Sequence, residues 1–210
     1  QQMTFMIIRR KILTSAFLLA LITSLSGVAI SASASAKATN PTEFIADLGD
    51  KAIRTLADTS VGDASRRMKF RILFLEGFDV KSLSRYAIGR YWRKASKDQR
   101  GEYQRLFTDF IVNTYANRFG QYSGEKLDVT GERAVKGKDT IVQSQIVRPK
   151  GAPVRVDWRV RLRKSGFKVI DIVVEGVSMA ITQREEFSSV IRRHGGKIDG
   201  LISELKRKTK

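Results

Sequence analysis

Few side chains in this sequence could carry out acid–base or covalent chemistry, and their spacing matches no familiar catalytic arrangement. The chain has no cysteine and a single histidine, His194, which excludes thiolate chemistry, the usual serine–histidine triad and most metal sites. Asp171 lies in an otherwise apolar segment and could act as a buried general acid or base beside a tyrosine. Ser178 has no base near it in the sequence. We therefore expect no enzymatic activity, no cofactor and no metal, and an enzyme that uses Asp171 is the alternative.

The basic side chains offer a different chemistry, which is the binding of anions. The chain contains 39 Lys and Arg residues against 21 Asp and Glu residues, a formal net charge of +18. Four arginines alternate with apolar residues and should project together from one face of a strand: Arg155, Arg159, Arg161 and Arg163. They form either a solvated surface or a docking site for an acidic protein or an anionic membrane. We expect Asp157, which lies among them, to form an ion pair.

The first 36 residues have the pattern of a secretory signal peptide. Three basic residues, ending at Lys11, precede an uncharged and mainly apolar stretch over residues 12–30, and two overlapping Ala-x-Ala sites end at Ala36. The alternative is a membrane anchor, because such a stretch could nearly span a bilayer. We predict cleavage after Ala36, a periplasmic product and a single domain over residues 37–210. Cleavage removes three basic and no acidic residues, which leaves a net charge of +15. The basic charge could suggest nucleic-acid binding, but an exported protein does not meet nucleic acid, so we expect no nucleic-acid partner.

The first half of the chain has the capping residues and apolar spacing of helices. The predicted helices begin at Pro41, near Gly62, at Val80 and after Ser96. The last of these is a long helix that opens with a Ser96–Gln99 capping box and runs to about Phe119. In the second helix, Met68, Ile72 and Leu75 mark one apolar stripe, and it is widened by three further residues: Phe70, Leu73 and Phe74. Gly89, which ends the third helix, should adopt a conformation closed to other residues.

The second half changes to the alternating pattern of strands. Four strands are predicted, over residues 126–131, 140–148, 154–163 and 167–174. A capping box at Thr182–Glu185 should open a helix that runs to Arg193, and a last amphipathic helix follows Gly195 and Gly196. Helices, then an antiparallel meander, then helices is an α+β order, in which a helical N-terminal half packs on a twisted four-stranded sheet.

Two segments resemble those of a known family. Residues 88–96 read Ile-Gly-Arg-Tyr-Trp-Arg-Lys-Ala-Ser, and about 80 residues later residues 174–179 read Val-Glu-Gly-Val-Ser-Met, followed by Arg184 and Phe187. In this order, behind a leader, they resemble the MlaC or toluene-tolerance (Ttg2-type) family, and the resemblance extends from Pro41 to the C-terminus. Gln183 departs from the family, whose members often have an aromatic residue there.

The resemblance implies a periplasmic lipid carrier with an NTF2-like sheet packed on helices. Such proteins shuttle phospholipid between an inner-membrane ABC transporter, through its MCE-domain subunit, and an outer-membrane lipoprotein complex. Some members accompany hopanoid biosynthesis, so a hopanoid is the alternative cargo. The lipid tails lie between the sheet and the helices, whereas the charged headgroup stays outside because unpaired buried charge is costly.

The residues expected to line that lipid cavity come from both halves of the chain. The helical half contributes seven aromatic residues: Phe70, Phe74, Tyr91, Trp92, Phe107, Phe110 and Tyr115. The sheet and the segment after it contribute five residues: Val156, Trp158, Val160, Val177 and Met179. An ordinary core is the alternative for the strand stripe that runs from Val154 to Leu162, because a core and a cavity wall show the same alternation.

Overall fold

The computed structural model describes residues 38–58, 60–116, 122–135 and 137–210. The predicted signal peptide and the predicted helix end at Phe119 lie outside these ranges. The described residues form seven helices: α1 Pro41–Ala57, α2 Asp63–Gly77, α3 Val80–Ile88, α4 Tyr91–Lys94, α5 Lys97–Ala116, α6 Met179–Arg193 and α7 Ile198–Lys208. They also form five strands: β1 Lys126–Ala134, β2 Asp139–Val147, β3 Val154–Arg163, β4 Gly166–Val174 and β5 Val177–Ser178. None of the helices within these ranges has the length and apolar character to cross a bilayer.

The predicted starts and stops of the first helices are confirmed by their hydrogen bonds. The side-chain oxygen of Asn40 accepts the backbone N–H of Glu43 at 2.8 Å, which caps α1. Ser96 and Gln99 form the reciprocal pair of a capping box, with distances of 3.1 and 2.9 Å, and so open α5. Gly89 ends α3 with φ 50° and ψ −120°, a conformation that side chains other than glycine rarely allow.

The sheet is an antiparallel meander in the order β1-β2-β3-β4-β5, so the expected α+β architecture is present with one strand more than the four predicted. The added strand is short and pairs Val177 with Val174 and Ser178 with Val173. A tight turn at Glu175 and Gly176, with φ values of 48° and 84°, folds it back on β4. Glu175 and Gly176 are therefore the turn of a short hairpin between β4 and β5.

The start of α6 differs from the prediction. The hydroxyl of Ser178 accepts the backbone N–H of Ile181 at 3.1 Å, so Ser178 is the N-cap and the helix begins at Met179. Thr182 lies inside the first turn and donates its hydroxyl to the carbonyl of Ser178 at 3.0 Å. The predicted capping box at Thr182–Glu185 is therefore wrong, because the β5 pairing ends four residues earlier and leaves Ser178 at the chain reversal.

The broad apolar stripe predicted for α2 is buried only in part. Met68, Ile72 and Leu75 are exposed, whereas Phe74 is buried and Phe70 is partly buried. This helix has apolar residues on several sides, and its neighbours α1, α5 and β4 cover only the side that contains the two phenylalanines. The apolar spacing in the sequence fits either side of the helix, so it could not predict which side is buried.

Two apolar clusters form the interior of the part of the chain that the structure describes. The helical cluster has fifteen buried residues from α2 to α7: Phe74, Ala87, Ile88, Tyr91, Ala95, Tyr103, Leu106, Phe107, Val112, Phe187, Ile191, Ile198, Leu201, Ile202 and Leu205. The sheet cluster joins α1 to one face of the sheet through Ile45, Val142, Val160 and Val169. Phe78 packs against both clusters and so marks the seam between them.

Candidate functional site

The helical half brings most of its predicted lipid-contacting aromatics into one cluster. Phe74, Tyr91 and Phe107 are buried members of the helical cluster, and three others pack against it: Phe70, Trp92 and Phe110. Tyr115 is exposed near the C-terminal end of α5. Six of the seven residues therefore share one apolar environment, and Tyr115 lies at its outer edge or beyond it.

Two rings at the centre of this cluster, those of Tyr103 and Phe187, are not among the residues predicted to line the lipid cavity. Tyr103 is fully buried, and its ring centre lies 6.2 Å from that of Phe187, which in turn lies 5.8 Å from Phe110. The Tyr103 hydroxyl donates to the carbonyl of Ser84 at 2.9 Å, so this buried polar group has a hydrogen-bond partner. Burial raises the pKa of Tyr103 well above its usual value, so its hydroxyl stays protonated.

The sheet residues predicted to face the helices lie on the expected face but do not all belong to one group. Val160 is 1% exposed and belongs to the sheet cluster, and Trp158 packs against that cluster. Val156 is also buried, opposite Ser144 on the neighbouring strand. Leu162, at the hairpin end of the same stripe, is 59% exposed, so the expected stripe ends one position early.

A polar contact fixes the orientation of Trp158 on this apolar face. Its indole N–H donates to the hydroxyl of Ser144 at 2.9 Å, and that hydroxyl donates to the carbonyl of Val156 at 2.7 Å. Ser144 is itself buried. The relay satisfies an N–H that would otherwise lie unpaired beside the apolar interior.

The two predicted residues after β4 lie at its outer end. Val177 is exposed in β5, and Met179 is partly buried at the first position of α6. The structure therefore places neither of them in the two buried clusters.

Phe78 connects the helical and sheet sides. Its ring centre lies 4.9 Å from that of Phe74, and its backbone bridges to Val169 of β4. The next residue, Asp79, donates its backbone N–H to the carbonyl of Val169 at 3.0 Å and caps α3. Phe78 and Asp79, which link α2 to α3, are thus bonded to the edge of the sheet at β4, where the two clusters meet.

The predicted arginine face exists, but acidic residues already occupy part of it. Asp139 has a side chain only 1% exposed, and it accepts hydrogen bonds from Arg159 at 2.7 Å and from Arg161 at 2.9 Å. The hydrogen bond from Arg161 is the main cause that lowers the pKa of the Asp139 carboxyl, although burial opposes it and Arg159 assists. One carboxylate therefore compensates two of the four arginines in part.

Two further members of this face have different surroundings. Arg163, which pairs with Gly166 across the β3–β4 hairpin, donates to Asp79 at 2.9 Å. Burial opposes the charged form of Asp79, but hydrogen bonds from Ser82 and Arg163 outweigh it and lower the pKa. Arg155 forms no ion pair within the described ranges.

The expected ion pair of Asp157 is wrong. Among the described residues Asp157 has no ion-pair partner, and one of its carboxylate oxygens is buried without a hydrogen bond. Asp139 takes the expected role because β2 places it directly opposite Arg161. Cross-strand register, rather than nearness in the sequence, decides which carboxylate meets the guanidinium groups.

Asp171 has partners that explain its place in an apolar strand. Its carboxylate accepts the hydroxyl of Ser178 at 2.6 Å and the backbone N–H of Ala180 at 3.0 Å. Both contacts stabilise the first turn of α6, where an acidic side chain is favourable. Within the described residues, no group of three or more histidine, cysteine, aspartate or glutamate side chains could hold a metal ion.

Comparison with known proteins gives a match over most of the chain. The sequence model of the family described as MlaC protein matches residues 46–207. The chain belongs to the MlaC protein family. The matched range contains the residues of the helical cluster, the arginine face and all but the first residue of the sheet cluster.

Curated relatives of this MlaC family member match in part. The chain is 27% identical over 122 residues to the intermembrane phospholipid transport system binding protein MlaC of Haemophilus influenzae, which covers 56% of each protein. It is 25% identical over 113 residues to the toluene tolerance protein ttg2D of Pseudomonas putida, covering 54% of this chain and 53% of that protein. The chain thus aligns with about half the length of the curated relatives it matches.

A solved structure is similar over a larger share. A phospholipid-binding protein from Ralstonia solanacearum, solved in complex with a phospholipid, matches with a TM-score of 0.70 and 25% sequence identity. The match covers 80% of this chain and 96% of the other. The α+β fold of this MlaC family member is therefore that of a protein known to bind a phospholipid.

Proposed function

We propose that this MlaC family member binds a phospholipid by its acyl chains and transports it between the two membranes of a bacterial envelope. The observation that supports this most is the fold it shares with a protein solved in complex with a phospholipid. The two apolar clusters, which meet at Phe78, provide the apolar environment that acyl chains need.

The energetics explain why such transport needs an apolar interior. Two acyl chains contain roughly 30 methylene groups, and burying each one is worth about 0.8 kcal/mol. Transfer through water would therefore cost about 20–25 kcal/mol, which makes spontaneous escape from a bilayer very slow. A carrier must replace nearly all of this burial with its own side chains.

We further propose that the acyl chains enter along the seam at Phe78 and separate the helical cluster from the sheet cluster. The seam lies at a sheet edge between two separately packed clusters, so an acyl chain could enter there without crossing the centre of either one. The headgroup remains outside, where its charge stays hydrated. In this arrangement Phe74 on one side and Val160 on the other contact the lipid.

The proposed setting is the periplasm, with the leader over residues 1–36 removed. The proposed partners are the MCE-domain subunit of an inner-membrane ABC transporter and an outer-membrane lipoprotein complex. The arginine face supplies a surface of the right sign for an acidic partner, with Arg155 and Arg159 its more exposed members.

Native mass spectrometry of protein purified from a bacterial host, followed by lipid extraction, tests the proposal. We expect a phospholipid to copurify in a one-to-one complex. Protein free of lipid under gentle ionisation would contradict the carrier function, and a copurified hopanoid would change the cargo. N-terminal sequencing of the exported protein tests the location, with Lys37 as the expected first residue.

A pair of bulky substitutions tests the site. Val156→Trp adds volume on the helix-facing side of β3, whereas the control Val147→Trp adds it on the outward face of β2. We expect lipid copurification to fall in the first variant and to stay unchanged in the second, with both variants folded. Loss of folding in the first without a separate effect on lipid would indicate an ordinary close-packed core.

A further inference from the structure

Three large apolar side chains are exposed where α3 meets the start of α6. Tyr86 is 40% exposed, Ile181 49% and Val177 53%. Arg184 lies one turn after Ile181, and its guanidinium carbon is 5.0 Å from the centre of the Tyr86 ring. We call Tyr86, Val177, Ile181 and Arg184 the docking patch.

Arg184 is held in one position although it lies on the surface. A Cβ atom at Gly89 would come within 3.1 to 3.3 Å of three atoms of its guanidinium group, so the group lies directly against the end of α3. The group also lies over the Tyr86 ring. Neither Arg184 nor the neighbouring Arg85 has a hydrogen bond or ion pair from its side chain in the described part of the chain. A guanidinium group that is fixed in place and keeps its donors free is well suited to bind phosphate oxygens.

The acidic residues that follow Arg184 do not neutralise the docking patch. Glu185 and Glu186 line a pocket of about 410 Å³ that opens between α5, α6 and α7. Arg184 instead contacts α3, on another side of the same helix. The exposed apolar residues therefore lie beside a cation that has no side-chain hydrogen bond or ion pair within the described ranges.

The exposed stripe of α2 differs from the docking patch in this respect. Met68 and its neighbours are as exposed, but the cations around them have partners. Arg67 donates to Asn113 at 3.4 Å, and three others form ion pairs: Arg66 with Asp63, Lys69 with Asp58 and Arg71 with Asp109. Much of the positive charge beside that stripe is therefore compensated, and an anionic surface would gain less by approaching it.

We propose that the docking patch places this protein on the surface of a bilayer that contains anionic lipids. Val177 and Ile181 enter the interface, the Tyr86 ring lies at the level of the headgroups, and Arg184 binds a lipid phosphate with Arg85 beside it. This inference rests on the proposed function, because a lipid carrier must exchange its cargo at a membrane surface. It adds which surface of the protein makes that contact.

Co-sedimentation with phosphatidylcholine vesicles, prepared with and without phosphatidylglycerol, tests the docking patch. We expect the wild-type protein to bind the anionic vesicles, less as salt is raised, and to bind the neutral vesicles weakly. The double variant Ile181→Ser, Arg184→Gln should bind the anionic vesicles about tenfold more weakly, since it loses one charge and one interfacial side chain. Ile181→Ser alone, which leaves Arg184 and Tyr86 in contact, should lose about threefold.

A matched pair on α2 provides the control. Met68→Ser with Arg67→Gln removes the same kinds of side chain from the other exposed apolar surface, and it should leave vesicle binding unchanged. Circular dichroism and thermal unfolding show that each variant is folded. Equal loss in both double variants, or no loss at the docking patch, would overturn the proposal.

The outcomes also separate this inference from the proposed function. If the wild-type protein copurifies with lipid but does not bind anionic vesicles, the docking-patch proposal is wrong and the proposed carrier function stands. Protein without lipid that still needs Ile181 and Arg184 for vesicle binding contradicts the carrier function but not the docking patch. Binding to polyglutamate, which serves as a model of an acidic protein, is measured with the same variants. If the variant Ile181→Ser, Arg184→Gln loses binding to polyglutamate and keeps binding to vesicles, the docking patch recognises an acidic protein and the membrane proposal is wrong.

Discussion

Successive side chains of β3 point to opposite faces of the sheet, and the two faces are stabilised by different interactions. On the face toward the helices, Val160 is buried among apolar side chains. It stabilises the fold because its burial removes apolar surface from water. On the opposite face, Arg159 and Arg161 are partly exposed, and their contribution depends on one buried carboxylate, that of Asp139. The apolar face should therefore tolerate no charge, and the arginine face should depend on the charge of one residue.

Placing a charge in the apolar face should have the largest effect. Val160→Asp puts a carboxylate without a partner among the residues of the sheet cluster, and we expect it to cost at least ~4 kcal/mol of unfolding free energy. Leu162→Asp, two positions along the same face, is the control, and its exposed site should cost under ~0.5 kcal/mol. Urea denaturation followed by tryptophan fluorescence measures both. Similar costs at the two sites would mean that the helices do not cover Val160.

Removing one charge from the arginine face should have the next largest effect. Asp139→Asn leaves Arg159 and Arg161 without their carboxylate, and we expect a loss of about 2–3 kcal/mol, less than for a fully buried pair because both guanidinium groups are partly exposed. Asp157→Asn is the matched change on the same face and should cost much less, since Asp157 has no ion pair in the described ranges. Urea denaturation at neutral pH compares the two variants, and equal losses would contradict the role given to Asp139.

The same ion pair predicts how stability depends on pH. The folded-state pKa of Asp139 is lowered, chiefly by the hydrogen bond from Arg161, so its stabilisation is fully present above its unfolded value of about 3.9. It is lost as the pH falls through the lower folded-state pKa. The difference in unfolding free energy between wild type and Asp139→Asn should therefore be constant near neutral pH and shrink below about pH 4. A difference that stays constant down to pH 2 would show that the charge of Asp139 is not the stabilising feature.

Sequence reasoning succeeded where the signal is local. Asn40 and Ser96 cap their helices through residues three positions later, so the capping pattern contains the whole interaction. The alternation along β3 likewise placed Val160 and Arg161 on opposite faces, because successive side chains of a strand point to opposite sides. The family resemblance, which rested on two short segments, is confirmed by the match over residues 46–207.

It failed where a distant element decides between two locally equivalent choices. Ser178 and Thr182 both fit the rules for an N-cap, and the pairing of β5 with β4 decides for Ser178. Asp157 is closer in sequence to the arginines, but the register between β2 and β3 brings Asp139 to them instead. The lining of the lipid site stays a prediction, because a packed cluster and a cavity wall have the same pattern of apolar residues.

A polar residue on the apolar face allows a finer comparison. Ser144→Ala removes the acceptor of the Trp158 indole N–H, and we expect a loss of about 1–2 kcal/mol with a shift in tryptophan fluorescence. Ser165→Ala, in the exposed β3–β4 turn, should change neither quantity. An unchanged stability in the first variant would mean that the Trp158 N–H finds another partner and that Ser144 does not fix the ring.

The smallest effect on stability is expected at Arg155, where it separates docking from solvation. Changing Arg159 or Arg161 to glutamate would place a carboxylate beside Asp139 and destabilise the fold, so those two residues cannot test docking alone. Arg155 has no ion pair in the described ranges, so Arg155→Glu should change the unfolding free energy by less than ~0.5 kcal/mol.

If the arginine face docks an acidic partner, Arg155→Glu should weaken association with the proposed partner, an MCE-domain subunit. The weakening should be stronger at low salt, since exposed charges are screened over about 8 Å at physiological ionic strength. Lys138→Glu, an exposed charge change before β2, is the control for net charge. Surface plasmon resonance at two salt concentrations measures both variants. Equal weakening would reduce the effect to net charge, whereas unchanged association in the Arg155 variant would leave the arginine face as a solvated surface, stabilised by Asp139 and without a partner of its own.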